Sequence, residues 1–138
     1  MTAYEFSADP SRLDVDWIHA ILSTQAFWAR GRTRAAQEAA VASSRNYGMY
    51  ADDGAQVAYA RAVTDGVTFA WVADVIVDPA HRRQGLGTRI IDGLMADLEA
   101  LGLKRVLLKA SPEGHELYRR AGFDRLDEPE TWLGRRLR

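Results

Sequence analysis

Between residues 16 and 28 the apolar positions recur every three or four residues. Trp17, Ile18, Ile21, Leu22 and Phe27 fall on one stripe, which predicts an amphipathic helix with these side chains in the core. Gly31 breaks the pattern, and Thr33 is placed to cap a second, alanine-rich helix running to about Ser44. A short strand at 4–6 precedes both. After Ser44 the pattern changes to strands: 46–51, a turn at Asp52-Asp53-Gly54, and a partner at 56–63. Asp65-Gly66 signals a second hairpin and leads into 67–77, a long and mostly apolar run that predicts burial on both faces.

Pro79 stops that strand. A helix is predicted from 85 to 101, with Ile90, Ile91, Leu94, Leu98 and Leu101 facing the core and Gly102 behind it as a C-cap. A strand at 105–109, a short helix at 113–121 and two last strands at 123–126 and 131–137 complete the chain. The fold class predicted is α/β (α+β): a mixed, mostly antiparallel sheet flanked by helices, with a parallel strand-helix-strand unit at its centre. No repeat or linker divides the chain, so residues 1–138 read as a single domain.

Composition narrows the function classes. With 138 residues and a net charge of −1, the chain is long enough for a real core and lacks the basic field of a nucleic-acid binder. It has no cysteine, which excludes disulfides, thiolate catalysis and zinc-thiolate sites. Its three histidines show no ligand spacing, so no metal is expected. No leader pattern or membrane-length apolar run is present, and a cytoplasmic enzyme or binding module is the expectation.

The most informative stretch is His81-Arg-Arg-Gln-Gly-Leu-Gly-Thr-Arg-Ile-Ile91, where a basic pair and two glycines precede a helix. The first N–H groups of a helix have no internal partner and carry the positive end of the dipole. Glycines let a diphosphate approach them, although the same residues would serve a plain turn needing φ > 0. The spacing is neither a Walker loop nor a dinucleotide fingerprint, since residue 90 is Ile. Arg82, Arg83 and Arg89 are either phosphate contacts or solvated surface charges.

Residues 75–88, VIVDPAHRRQGLGT, resemble the acetyl-CoA-binding motif of the GNAT superfamily of N-acetyltransferases, with Arg82, Gly85 and Gly87 at its defining positions. Leu117-Tyr-Arg-Arg-Ala-Gly-Phe123 resembles the second landmark of that family. The resemblance implies a V-shaped cofactor cleft between two splayed parallel strands. It implies that the backbone of Val75, Ile76 and Val77 pairs with the pantetheine arm. It further implies that Arg83, Gln84, Gly85, Leu86, Gly87 and Thr88 cradle the pyrophosphate, and that Tyr118 protonates the CoA sulfur. On that division, residues 46–138 form the acetyl-CoA core and residues 1–45 the acceptor side.

Asp74 is the one ionisable side chain in 67–77. A buried carboxylate must be partnered, protonated or open to a cleft. Asp74 is therefore either the general base, with Glu113 and His115 as rivals, or an anchor for a neighbouring loop. His115 lies three residues before Tyr118 and shares its helix face. Trp28, Arg30 and Arg32 are candidate acceptor-site residues, with Trp28 alternatively core. Arg61 and Asp65 are a candidate cross-strand pair or pocket lining. The expected function is direct acetyl transfer from acetyl-CoA to a primary amine of a small molecule or peptide in a ternary complex. The alternatives are a non-catalytic acetyl-CoA sensor or a toxin acting on aminoacyl-tRNA. A homodimer is left open, and neither a membrane nor nucleic acid is an expected partner.

Overall fold

In the computed structural model, which describes residues 3–138, the predicted strands pair into one five-stranded sheet in the order β1-β2-β3-β4-β5. β1 (Tyr4–Ser7), β2 (Arg45–Ala51), β3 (Gln56–Thr64) and β4 (Phe69–Val77) are antiparallel neighbours, and β5 (Arg105–Leu107) runs parallel to β4. α1 (Val15–Gln25) and α2 (Arg34–Ala42) lie between β1 and β2 in sequence. α3 (Leu86–Glu99) connects β4 to β5, and α4 (His115–Arg120) follows β5. The parallel unit is thus β4-α3-β5, as the sequence predicts.

Local chemistry sets the helix starts. The Asp14 side chain accepts from Trp17 N at 3.0 Å, and Thr33 caps α2 by accepting from Ala36 N at 3.1 Å. Such caps satisfy N–H groups that the helix itself leaves free. On one sheet face, Ile90, Ile91, Leu94 and Leu98 of α3 pack against Tyr47, Met49, Ala58, Ala60, Ala70 and Val72. On the other, Ile18 and Leu22 of α1 pack with Tyr59 and Ile76.

A bulge in β4 decides which side chains meet which layer. Tyr59 pairs with Ile76, but Arg61 pairs with Ala73, so β4 carries one extra residue between those points. Asp74 has φ 55 there. Because side chains alternate along a strand, the extra residue inverts the parity. Ala70 and Val72 face α3 before the bulge, and Val75 and Val77 pack toward that core after it, while Ile76 joins the α1 side.

Three expectations are corrected. The run 67–77 is not buried on both faces: Phe69 and Trp71 are each 42% exposed, because the α1 layer reaches Ile76 beyond the bulge and stops short of them. Phe27 leaves the α1 stripe and is 70% exposed, since the extended Ala26 (φ −100, ψ 115) ends the helix first. Residues 123–126 and 131–137 join no ladder. Glu128 turns left-handed at φ 51, Pro129 begins a 3-10 turn, and Trp132 stacks against Arg105 at 5.5 Å instead of pairing as a strand. Leu133 and Leu137 remain in solvent.

Close packing of α3 on β1 generates a test. A Cβ on Gly93 would stand 2.4 Å from the Phe6 ring, which is itself stacked on Tyr47 at 6.1 Å. Overpacking of this kind costs about 1–3 kcal/mol, against a helix-propensity gain of about 1 kcal/mol for replacing glycine. Gly93→Ala is therefore expected to lower the urea midpoint, whereas a rise would show that Phe6 moves aside freely.

Candidate functional site

The glycine turn comes out as a bare helix terminus. Gly85 takes φ 75 as the N-cap of α3, and no side chain caps that helix. Arg82, Arg83, Gln84, Gly85 and Thr88 are exposed around it, while Leu86 is buried in the core and can offer only its backbone. The two glycines answer different constraints. Gly85 supplies the left-handed backbone, and Gly87 supplies clearance, since a Cβ there would sit 3.3 Å from Leu117 of α4. Arg83 is also left-handed, at φ 63. Arg89 turns away from the terminus, with its guanidinium donating to Tyr4 O at 2.9 Å.

Beside that terminus the sheet opens. β4 and β5 pair only through Phe69, Ala70 and Trp71 opposite Arg105, Val106 and Leu107. Beyond Trp71, the β5 side of β4 has no ladder partner among the described residues. Val75, Ile76 and Val77 thus offer a free backbone edge leading toward the α3 N-terminus. A chain with amide groups and a diphosphate end fits both features: the edge can pair with amides, and the bare N–H groups can hold an anion.

Asp74 is fully engaged by the protein. Arg32 grips it with two bonds, Nη1 to Oδ2 at 2.7 Å and Nη2 to Oδ1 at 3.2 Å. Arg61 Nε donates to Oδ2 at 2.7 Å and Trp28 Nε1 donates to Oδ1 at 2.9 Å. The carboxylate is 2% exposed and the two guanidinium side chains 19% and 16%. Burial pushes the Asp74 carboxyl up, but the hydrogen bonds and charges of Arg32 and Arg61 outweigh it and leave its pKa below the ordinary value. This is the geometry of an anchor: Trp28 and Arg32, from the segment between α1 and α2, are fastened to the centre of the sheet. A carboxylate held in this way is ionised at neutral pH and has its lone pairs occupied, which makes it a poor proton acceptor.

Of the other candidates, Tyr118 and His115 do share a face. Both line a cavity of about 470 Å³ with Leu108, Ala110 and Phe123. Burial raises the Tyr118 phenol pKa above its ordinary value. No residue of β4 or of the 82–88 turn lines that cavity. Arg30 is exposed, and none of the hydrogen bonds to Asp74 comes from it. Arg61 and Asp65 do not pair, because Asp65 instead accepts from Val67 N and Thr68 N in the β3–β4 turn. Gln37 and Ser44, which support Arg32 and Arg61 at 3.1 and 3.2 Å, carry no sequence signal that singles them out. Among the described residues no helix is long and apolar enough to cross a membrane, and no group of three or more His, Asp or Glu is placed to hold a metal.

The model of the Acetyltransferase (GNAT) family matches residues 9–123. A protein from Xanthomonas campestris pv. campestris, described as belonging to the GNAT family, superposes with a TM-score of 0.91 at 36% identity over 98% of this chain and 94% of that one. A protein described as an acetyltransferase candidate from Gibberella zeae is 32% identical over 131 residues, covering 81% of this chain and 74% of its own. Serotonin N-acetyltransferase 2, chloroplastic, from Oryza sativa subsp. japonica is 43% identical over 70 residues, or 51% of this chain and 35% of that protein. The chain therefore spans about a third of the length of that plant relative.

The Asp74 cluster predicts a pH signature. A carboxyl whose pKa is depressed by folding contributes stability that is fully present above its unfolded pKa, about 3.9. That contribution is lost as pH falls through the lower folded value. Asp74→Asn leaves two largely buried guanidinium groups without their counter-charge and is expected to cost on the order of 3 kcal/mol at pH 7. The difference from wild type should shrink below about pH 4. Denaturant unfolding at both pH values checks this, and a difference independent of pH would show that the ion pairs contribute nothing.

Proposed function

The chain belongs to the GNAT family of acetyltransferases, and from that premise we propose that it moves an acetyl group from acetyl-CoA directly to a primary amine of a small molecule or peptide, within a ternary complex. The observation that carries the proposal is the bare, left-handed start of α3 beside the unpaired edge of β4. On this reading the backbone of Val75, Ile76 and Val77 holds the pantetheine arm. The backbone from Arg83 to Thr88 holds the pyrophosphate, with Arg82 and Arg83 supplying charge. Acetyl-CoA brings an acyl group already activated as a thioester, so the chain needs no nucleophile of its own, and it has no cysteine.

The remaining work is positioning and proton transfer. A backbone N–H along the β4 edge polarises the acyl carbonyl. Tyr118, whose phenol stays protonated because burial disfavours its anion, donates a proton to the departing sulfur. Asp74 is a positioning residue that fixes Trp28 and Arg32 at the acceptor side. The amine proton leaves through water or to the His115 imidazole, which lines the same cavity as Tyr118. Residues 1–45 shape the acceptor site and residues 46–138 the cofactor core, in a protein placed in the cytoplasm.

The test is thiol release from acetyl-CoA across an amine panel. Relatives named for serotonin and for glucosamine 6-phosphate suggest an arylalkylamine and an amino sugar phosphate as its first members. Tyr118→Phe is expected to lower kcat by about a hundredfold with acetyl-CoA affinity unchanged. Gly85→Val is expected to weaken acetyl-CoA binding by about tenfold or more, because the left-handed turn and the approach to the helix N-terminus are both lost. Full activity in Tyr118→Phe would remove Tyr118 as the acid. A folded Gly85→Val protein with wild-type affinity would sink the pyrophosphate assignment.

A further inference from the structure

Two guanidinium groups share the single Asp74 carboxylate, so the cluster carries one positive charge more than its own residues neutralise. Arg34, the next arginine along α2, pairs with Asp16 and Glu38, so those carboxylates are already engaged. The cluster also has more donors than acceptors. Arg61 gives Nε to Asp74 and Nη1 to Ser44 Oγ at 3.2 Å, which leaves Nη2 without a partner among the described residues. Gln37 has its Oε1 fixed by Arg32 Nη1, and its buried Nε2 has no acceptor among the described residues. What the site lacks is negative charge and lone pairs.

The place of the cluster is as informative as its charge. It sits on the sheet face that α1 and α2 cover only in part, bordered by Trp28 at 46% and Trp71 at 42% exposure. Arg61 pairs with Ala73, and Val63, two positions along on the same face, pairs with Trp71. Asp74 directly precedes Val75, where the proposed function places the acyl-bearing arm. A half-buried, uncompensated guanidinium charge at that point is unfavourable alone and becomes favourable when an anion is held against it.

We infer that the acceptor is an amine that also carries an acid group, a carboxylate or a phosphate, and that Arg61 together with Arg32 recognises it. The inference rests on the acetyltransferase reading for the position of the amine. A hydrogen bond to a charged group contributes about 1.5–3 kcal/mol, or roughly tenfold to a hundredfold in affinity. The same excess charge repels a cationic side arm, so polyamines are disfavoured.

Matched acceptors test this at saturating acetyl-CoA: an ω-amino acid against its carboxamide, and an aminoalkyl phosphate against the parent amino alcohol. The acid member of at least one pair is expected to be preferred by about tenfold to a hundredfold, mainly in KM. The pair showing the preference tells carboxylate from phosphate. Arg61→Met should collapse the preference without changing acetyl-CoA affinity, and Arg61→Lys should keep part of it. Should Arg61→Met fail to fold, calorimetric titration of the deaminated acids, a simple carboxylate and an alkyl phosphate, onto the wild-type protein with CoA bound decides the matter. Saturable binding of one of them supports the inference, and binding of neither overturns it, as does equal use of acid and neutral acceptors. A separate acetyl-CoA titration keeps the two readings distinct. Loss of acetyl-CoA binding would fail the acetyltransferase reading, whereas acetyl-CoA binding with no acid preference would fail this inference alone.

Discussion

The architecture turns on a carboxylate that could not be buried alone. Asp74 is nearly inaccessible at the centre of the sheet, and an isolated charge there would be expelled or neutralised. It is kept ionised by a bidentate arginine, a second arginine and an indole N–H. Those donors come from two different places, the segment after α1 and the β3 strand. One side chain therefore ties the N-terminal helices to the sheet. The bulge that puts Asp74 on that face also returns Val75 and Val77 to the α3 side. Anchor and edge are thus products of a single extra residue.

The same strand explains why the sheet opens where it does. A parallel pair of three residues is short, and β5 ends at Leu107 while β4 runs to Val77. Among the described residues no strand covers the edge left behind, and the helix that follows β4 begins without a side-chain cap. Exposed backbone donors at both places would be a defect in a purely structural domain. The two places lie at either end of the short 79–81 turn that joins β4 to α3, an arrangement suited to an extended ligand with a charged end.

Much of this was legible because it is periodic or conformational. The stripe Ile90, Ile91, Leu94 and Leu98 gave α3, Thr33 gave the start of α2, and Gly85 marked the left-handed turn. What was not legible depended on partners distant in sequence. Nothing in Arg61 announces that it reaches Asp74 rather than Asp65, since both choices satisfy the same charge rule. Phe69 and Trp71 read as core because apolar residues do not reveal that the covering layer stops short of them. The segment 131–137 has strand-like composition, but Trp132 and Leu133 are adjacent rather than alternating, and Pro129 removes a ladder donor just before them. The four hydrogen bonds that engage Asp74 could not be read from the sequence, because Trp28, Arg32 and Arg61 reach it from other parts of the chain.

The anchor also bears on how an amine could react here without a dedicated base. On the proposed function, the acceptor nitrogen must be neutral when it meets the acyl carbon. A cluster with excess positive charge beside it disfavours the ammonium form, because like charges a few ångströms apart repel more strongly as water is excluded. If an acid group on the acceptor is held by Arg61 and Arg32, that charge is partly neutralised only once the substrate is seated. Seating the acid then weakens the electrostatic push against the ammonium form, so acid binding and amine deprotonation oppose one another through the charge left on Arg32 and Arg61. On the proposed function, a carboxylate that only positions its partners sets the charge met by a substrate it does not touch.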